Sequence, residues 1–309
     1  MNCLLLLCLL LTKMAVMTDK RPRSCPVCGR PARYHAKYCP RCWPFCNSNK
    51  CNLPIHERVR ALKEALDEKA NGFRCHYSGV LLDLEDPDSP LYPVFDHIVP
   101  GEPRLVICSR LVNDMKKDLT GDEFRIVVPA ISDFLEKGLP VGHDIIGFVC
   151  WPRRYDLPSA TVLGKTPPSP KGCAVCEMKR HRYSLYCDLC RHFIFHKPEH
   201  VARVAAMKDG WDRQRGGFIC HYTGVLLDRT NSKSPWYMVF DHRFPGNKGH
   251  LAVCAAWVNG MKTYLTEEQF RAILNALAGH FRDGAPVDGD LLDIGSYKMV
   301  LKSVGRVRN

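Results

Sequence analysis

The segment Gly72–Asp83, GFRCHYSGVLLD, returns from Gly217 to Asp228 as GFICHYTGVLLD, changed only where Arg74 becomes Ile219 and Ser78 becomes Thr223. A repeat of this length is one structural unit copied, so whatever fold the chain adopts must be built twice. The flanking sequence agrees. Upstream of each copy stands a cysteine box with the same ten-residue gap, CPVC to CPRC from Cys25 to Cys42 and CAVC to CDLC from Cys173 to Cys190. Between box and repeat lie HERVRALKEALDEKA and EHVARVAAMKDGWDR, whose apolar residues recur at helical spacing and predict a helix in each copy. Downstream, PVFDHIVPG and RLVICSRLVNDMKKDLTGDEF are matched by MVFDHRFPG and HLAVCAAWVNGMKTYLTEEQF.

A chain of 309 residues, 46% apolar, buries real cores and sits at the length where one core splits into domains. The Pro- and Ser-rich stretch 151–172 reads as a linker, which gives a first copy over 21–150 and a second over 173–309. Thr120 with Glu123, and Thr266 with Gln269, form capping boxes that start a helix in each copy. Pro129 is expected to break or kink the first of these after about two turns, whereas Asn275 leaves the second free to run on. The first 20 residues read as an extension. Their apolar run Leu4–Leu11 lacks a preceding basic residue and an A-x-A site and is too short to span a bilayer, so a cytoplasmic protein without a membrane partner is expected.

Lys and Arg number 44 against 32 acidic residues, a formal charge of +12 spread over both halves, which favours a polyanion, most simply nucleic acid, as partner. No obligate protein partner is implied. Seventeen cysteines are too many for an ordinary cytosolic enzyme, and their spacing decides their use. Two C-x2-C knuckles complete a tetrahedral thiolate site, so Cys25, Cys28, Cys39 and Cys42 are predicted to hold one structural zinc and Cys173, Cys176, Cys187 and Cys190 a second. Cys46 and Cys51 could compete but have no counterpart in the second copy. Cys75, Cys108, Cys220 and Cys254 recur in register, two to a copy, and are expected as buried thiols.

Asp96-His97 and Asp241-His242 each end an apolar run just before a Pro-Gly, which presents them at a strand rim. A second apolar run follows, then Asn113 or Asn259, and three residues on Lys116 or Lys262. The order predicted is strand, loop, strand, helix. Such an arrangement lets a carboxylate and an amide oxygen meet one hard cation while the imidazole faces substrate.

These residues, FDHIVPG followed by VICSRLVNDMKKD, resemble the HNH, or His-Me finger, endonuclease motif, in the form seen in RNA-guided DNA endonucleases. The segment before them is similar to the strand region of phage-borne HNH proteins. The likeness covers 72–124 and 217–270. It implies an α+β fold of two tandem small domains, each a four-cysteine zinc ribbon followed by a ββα-metal HNH core with flanking helices. It further implies a metal-dependent DNA endonuclease. In that role His97 and His242 are general bases, Asp96 with Asn113 and Asp241 with Asn259 hold one divalent cation each, most simply magnesium, and Lys116 and Lys262 contact phosphate. Family members usually carry a further Asn in the loop between the strands. The first copy has GEPR there, the second Asn247, so the second is expected to aim its histidine better. The competing expectation is a non-catalytic zinc-ribbon protein that binds nucleic acid and keeps the HNH cores as scaffolds.

Overall fold

A computed structural model describes residues 24–33, 36–47, 53–139, 141, 142, 145, 172–180, 182–195 and 197–295. The N-terminal extension, Cys51 and almost all of the expected linker lie outside them. The first copy runs α1 (Trp43–Cys46), α2 (Ile55–Ala65), β1 (Leu66–Asp67), β2 (Gly72–Phe73), β3 (Pro93–His97), β4 (Leu105–Ser109), α3 (Arg110–Lys116) and α4 (Gly121–Lys137). The second repeats this order with α5 (Asp188–Ile194), α6 (His200–Asp209), β5 (Trp211–Asp212), β6 (Gly217–Phe218), β7 (Met238–His242), β8 (Leu251–Ala255), α7 (Ala256–Lys262) and α8 (Glu267–Asp283), then adds α9 (Gly289–Leu292). The described chain is mixed α and β, its strands forming small antiparallel pairs, β1 with β2, β3 with β4, β5 with β6 and β7 with β8. No helix among the described residues is long and apolar enough to cross a membrane.

The repeated segment closes by the same knuckle as the cysteine boxes. In the box, Cys25 N donates to Arg30 O at 2.7 Å and Gly29 N to Cys25 O at 2.9 Å. In the repeat, Cys75 N donates to Val80 O at 2.9 Å and Gly79 N to Cys75 O at 2.9 Å, and Cys220, Gly224 and Val225 do the same. Gly79 and Gly224 take φ of 67° and 68°, the left-handed region where a side chain is strained. Ser78 and Thr223 stand where the second cysteine of a box would be, so the fold is kept and the thiolate set is not.

β4 and β8 are buried along their whole length, while β3 and β7 bury only their first and fourth residues, Pro93 and Asp96 in one and Met238 and Asp241 in the other. Asp96 and Asp241 thus point inward, and the next residues, His97 and His242, stand on the opposite face at the strand ends, paired with Leu105 and Leu251. Both capping boxes form as expected. Pro129 does not end its helix, since α4 and α8 are both 17 residues long. Proline removes one N–H from the ladder, and packing against a partner helix outweighs that loss.

The partner helix belongs to the other copy. α4 and α8 pack antiparallel, tied by Ser132 Oγ donating to Asn275 Oδ1 at 2.7 Å, Arg271 Nη1 to Leu135 O at 3.0 Å and Arg282 Nη2 to Asp133 Oδ2 at 2.8 Å. The chain beyond each helix reaches across. Val141 N donates to Thr223 O at 3.2 Å and Val287 N to Ser78 O at 3.1 Å, a reciprocal pair. Phe134 lies over Gly224 and His280 over Gly79 in the same reciprocal sense. The two copies therefore share one continuous core around a pseudo-two-fold axis.

Candidate functional site

Two kinds of site recur in each half. The first is the cysteine box. The Sγ atoms of Cys25, Cys28, Cys39 and Cys42, and those of Cys173, Cys176, Cys187 and Cys190, each gather within 4.8 Å of one another. Close pairs such as Cys28–Cys39 at 3.5 Å and Cys42–Cys28 at 3.6 Å approach the ~3.8 Å edge of a zinc tetrahedron with ~2.3 Å bonds. Burial pushes the Cys25 thiol up, but N–H groups of Cys39, Cys28 and Val27 outweigh it and bring it down to about 7. Burial pushes the Cys28 and Cys42 thiols up, so a binding cation would have to displace their protons. Each box could hold a structural zinc. Cys46 stays outside the cluster, and burial pushes its thiol up to about 12, the behaviour of a packed thiol. Cys75, Cys108, Cys220 and Cys254 are buried as expected. The Sγ atoms of Cys75 and Cys220 accept the N–H of Ser109 and Ala255 at 3.4 Å, which joins the repeat to the strand ahead of the helix.

The second site is the strand rim. Asp96 is 7% exposed and accepts from Tyr77 Oη at 2.6 Å and from Lys116 Nζ at 3.1–3.2 Å on its two oxygens. Lys116 is fully buried and also donates to His97 O at 3.1 Å. The second copy repeats this: Tyr222 and Lys262 hold Asp241, and Lys262 reaches His242 O at 3.0 Å and Leu265 O at 2.6 Å. Burial, with the Asp96 or Asp241 carboxylate beside it, pushes each tyrosine phenol up, so both act as neutral donors.

The two lysines expected at phosphate are buried in this structure. Lys116 and Lys262 end helices α3 and α7, and the residues after them, Lys117 and Thr263, turn left-handed at φ 53° and 55°. The chain turns away and the amine is drawn inward to a buried carboxylate, out of reach of a phosphate backbone. Asn113 and Asn259 sit half-buried in mid-helix rather than at its start, and their carbonyls close the last turn. For a divalent cation the fit is partial, because both oxygens of Asp96 and of Asp241 already accept from a cation and a phenol.

The histidines differ between copies. His97 turns Nδ1 to the carbonyl of Glu102, which can only accept, so Nδ1 carries the proton and Nε2 is left as the lone pair. His242 instead turns Nε2 to Glu199 Oε1, at 3.4 Å. Asn247 Oδ1 accepts from Gly249 N at 3.0 Å, so this residue turns the β7–β8 loop on itself. A further cluster has no counterpart in the first copy. Glu267, 5% exposed, accepts from His221 Nε2 at 3.1 Å, from Arg271 at 2.8 Å and from Arg243, the residue after His242. Burial pushes the Glu267 carboxyl up, but the bonds from His221, Arg243 and Arg271 outweigh this and hold it well below the usual carboxylate range.

Sequence reasoning missed Tyr77 and Tyr222, whose signal was their place inside the repeated CHY. It also missed Glu199, where comparison of the copies gives no signal because Pro54 stands in its place. Comparison of the chain with family models, with curated proteins and with solved structures gives no match in any of the three.

Proposed function

We propose that the chain is an endonuclease of the HNH type that hydrolyses phosphodiester bonds in DNA, with His97 and His242 as general bases. The observation that carries this reading is the strand–strand–helix unit, present twice, with a histidine at the exposed end of its first strand beside an inward Asp. The histidine takes the proton of the water whose oxygen attacks phosphorus, the ester P–O bond breaks, and the departing oxygen takes up a proton. Lys116 and Lys262 are positioning residues here, since each ties the histidine's own carbonyl to the buried Asp. A divalent cation at Asp241 and Asn259, or at Asp96 and Asn113, would supply charge to the phosphate. It would have to compete with the lysine ammonium for a carboxylate oxygen.

The test is supercoiled plasmid incubated with purified protein, with magnesium or manganese and with chelator. Cutting that needs the ion and falls roughly 100- to 10,000-fold in the His97→Ala, His242→Ala double variant supports the reading. Full activity in the double variant would remove the histidines from the chemistry. The closed Asp96–Lys116 and Asp241–Lys262 pairs favour a second reading, a non-catalytic nucleic-acid-binding protein with two zinc ribbons. Tight DNA binding with no cutting under any divalent ion would establish it.

A further inference from the structure

We infer that Glu199 is a positioning residue that fixes His242 as the Nε2–H tautomer and so makes Nδ1 the proton-accepting nitrogen of the second site. The inference rests on the endonuclease reading. Glu199 stands at the head of α6 with φ 62° and ψ 31°, a left-handed backbone that is strained for a non-glycine residue. Its side chain makes no cap hydrogen bond to α6. The carboxylate, 11% exposed, faces His242 instead.

The neighbouring contacts hold that pose. Arg203 N donates to Glu199 O at 2.9 Å and Arg203 Nε to Pro198 O at 3.0 Å, which fixes the turn. The Arg203 guanidinium lies over the Phe240 ring at 4.4 Å, and Phe240 is two residues before His242 and so on the same face of β7. Helix α6 is thus pinned to the strand that carries the histidine. A carboxylate can only accept, so the nitrogen facing it must carry the proton. The first copy is the reverse, with Pro54 in place of Glu199 and His97 Nδ1 held by the Glu102 carbonyl. The two histidines therefore offer opposite ring nitrogens to substrate.

The experiment is nitrogen-15 NMR of the imidazoles in the full chain, at a pH where they are neutral, on wild type, Glu199→Gly and Glu199→Gln. Glycine accepts the left-handed backbone, so that variant removes the carboxylate without straining the turn. Wild type is expected to show Nε2–H at His242 and Nδ1–H at His97. Glu199→Gly should mix the tautomers at His242 alone and lower the plasmid-cutting kcat roughly 10- to 100-fold with little change in KM, as loss of an orienting group behind a base does. Glu199→Gln, whose amide oxygen still accepts, should restore the tautomer. An unchanged His242 tautomer in Glu199→Gly would overturn the inference. A wild-type chain that cuts nothing would end the endonuclease reading, while the tautomer still reports on Glu199.

Discussion

At the scale of single residues, the most consequential finding is where the two lysines go. Removing one partner of a buried ion pair leaves an uncompensated charge, so Lys116→Ala or Lys262→Ala should lower stability by about 3–5 kcal/mol in urea denaturation. A phosphate-contacting surface lysine would leave stability unchanged and weaken DNA binding instead. Glu267 carries a pH dependence confined to the second half. Its folded pKa lies below the unfolded value of about 4.3, so its contribution is fully present above that pH and is lost as pH falls below it. Glu267→Gln should flatten the acid limb of the stability curve and cost about 1–3 kcal/mol at neutral pH. Gly121 occupies the equivalent place in the first copy, so a reporter there should not follow this titration.

At the scale of elements, the boxes and the helix pair are stabilised by different physics. Each box could hold a zinc whose binding would be folding free energy for its knuckles, so Cys25→Ser and Cys187→Ser should each reduce zinc from two ions per chain towards one and loosen the local knuckles. Zinc content by atomic absorption, with chelator-induced loss of stability, checks this. The pairing of α4 with α8 depends on steric allowance at the repeated glycines. A Cβ on Gly224 would lie 2.6 Å from the Phe134 ring at φ 68°, whereas on Gly79 it would meet His280 at 3.2 Å. Gly224→Ala should therefore cost about 2–4 kcal/mol, combining left-handed strain with overpacking, and Gly79→Ala measurably less. Comparing urea midpoints of the two variants reads the difference.

At the scale of the whole molecule, exchanged helices and tails make one chain resemble a closed two-fold dimer. Under the endonuclease reading, each site is paired with one on the same polypeptide. Single variants, His97→Ala or His242→Ala, are then expected to turn linear plasmid products into nicked circles, with the larger loss in His242→Ala. The net charge of +12 gives a second expectation. DNA affinity should fall steeply with salt, on the order of a thousand-fold from about 50 to 200 mM if several phosphates are neutralised. A flat salt response in a binding assay would point to another partner.

What the sequence determined by itself is what depends on local pattern. The doubled segment, the boxes at Cys25–Cys42 and Cys173–Cys190, the capping boxes at Thr120 and Thr266, and the order strand, strand, helix around Asp96-His97 and Asp241-His242 were all legible, because knuckles, caps and apolar runs are set by neighbours in the chain. Tertiary structure decided what those side chains face. It sent Lys116 and Lys262 to buried carboxylates, brought Glu199 to His242 across 43 residues, kept α4 helical through Pro129 and laid it on α8. Each of these outcomes is a contact between segments remote in sequence. Its free energy comes from burial and from pairing charges out of water, and neither can be evaluated before the partner segment is in place.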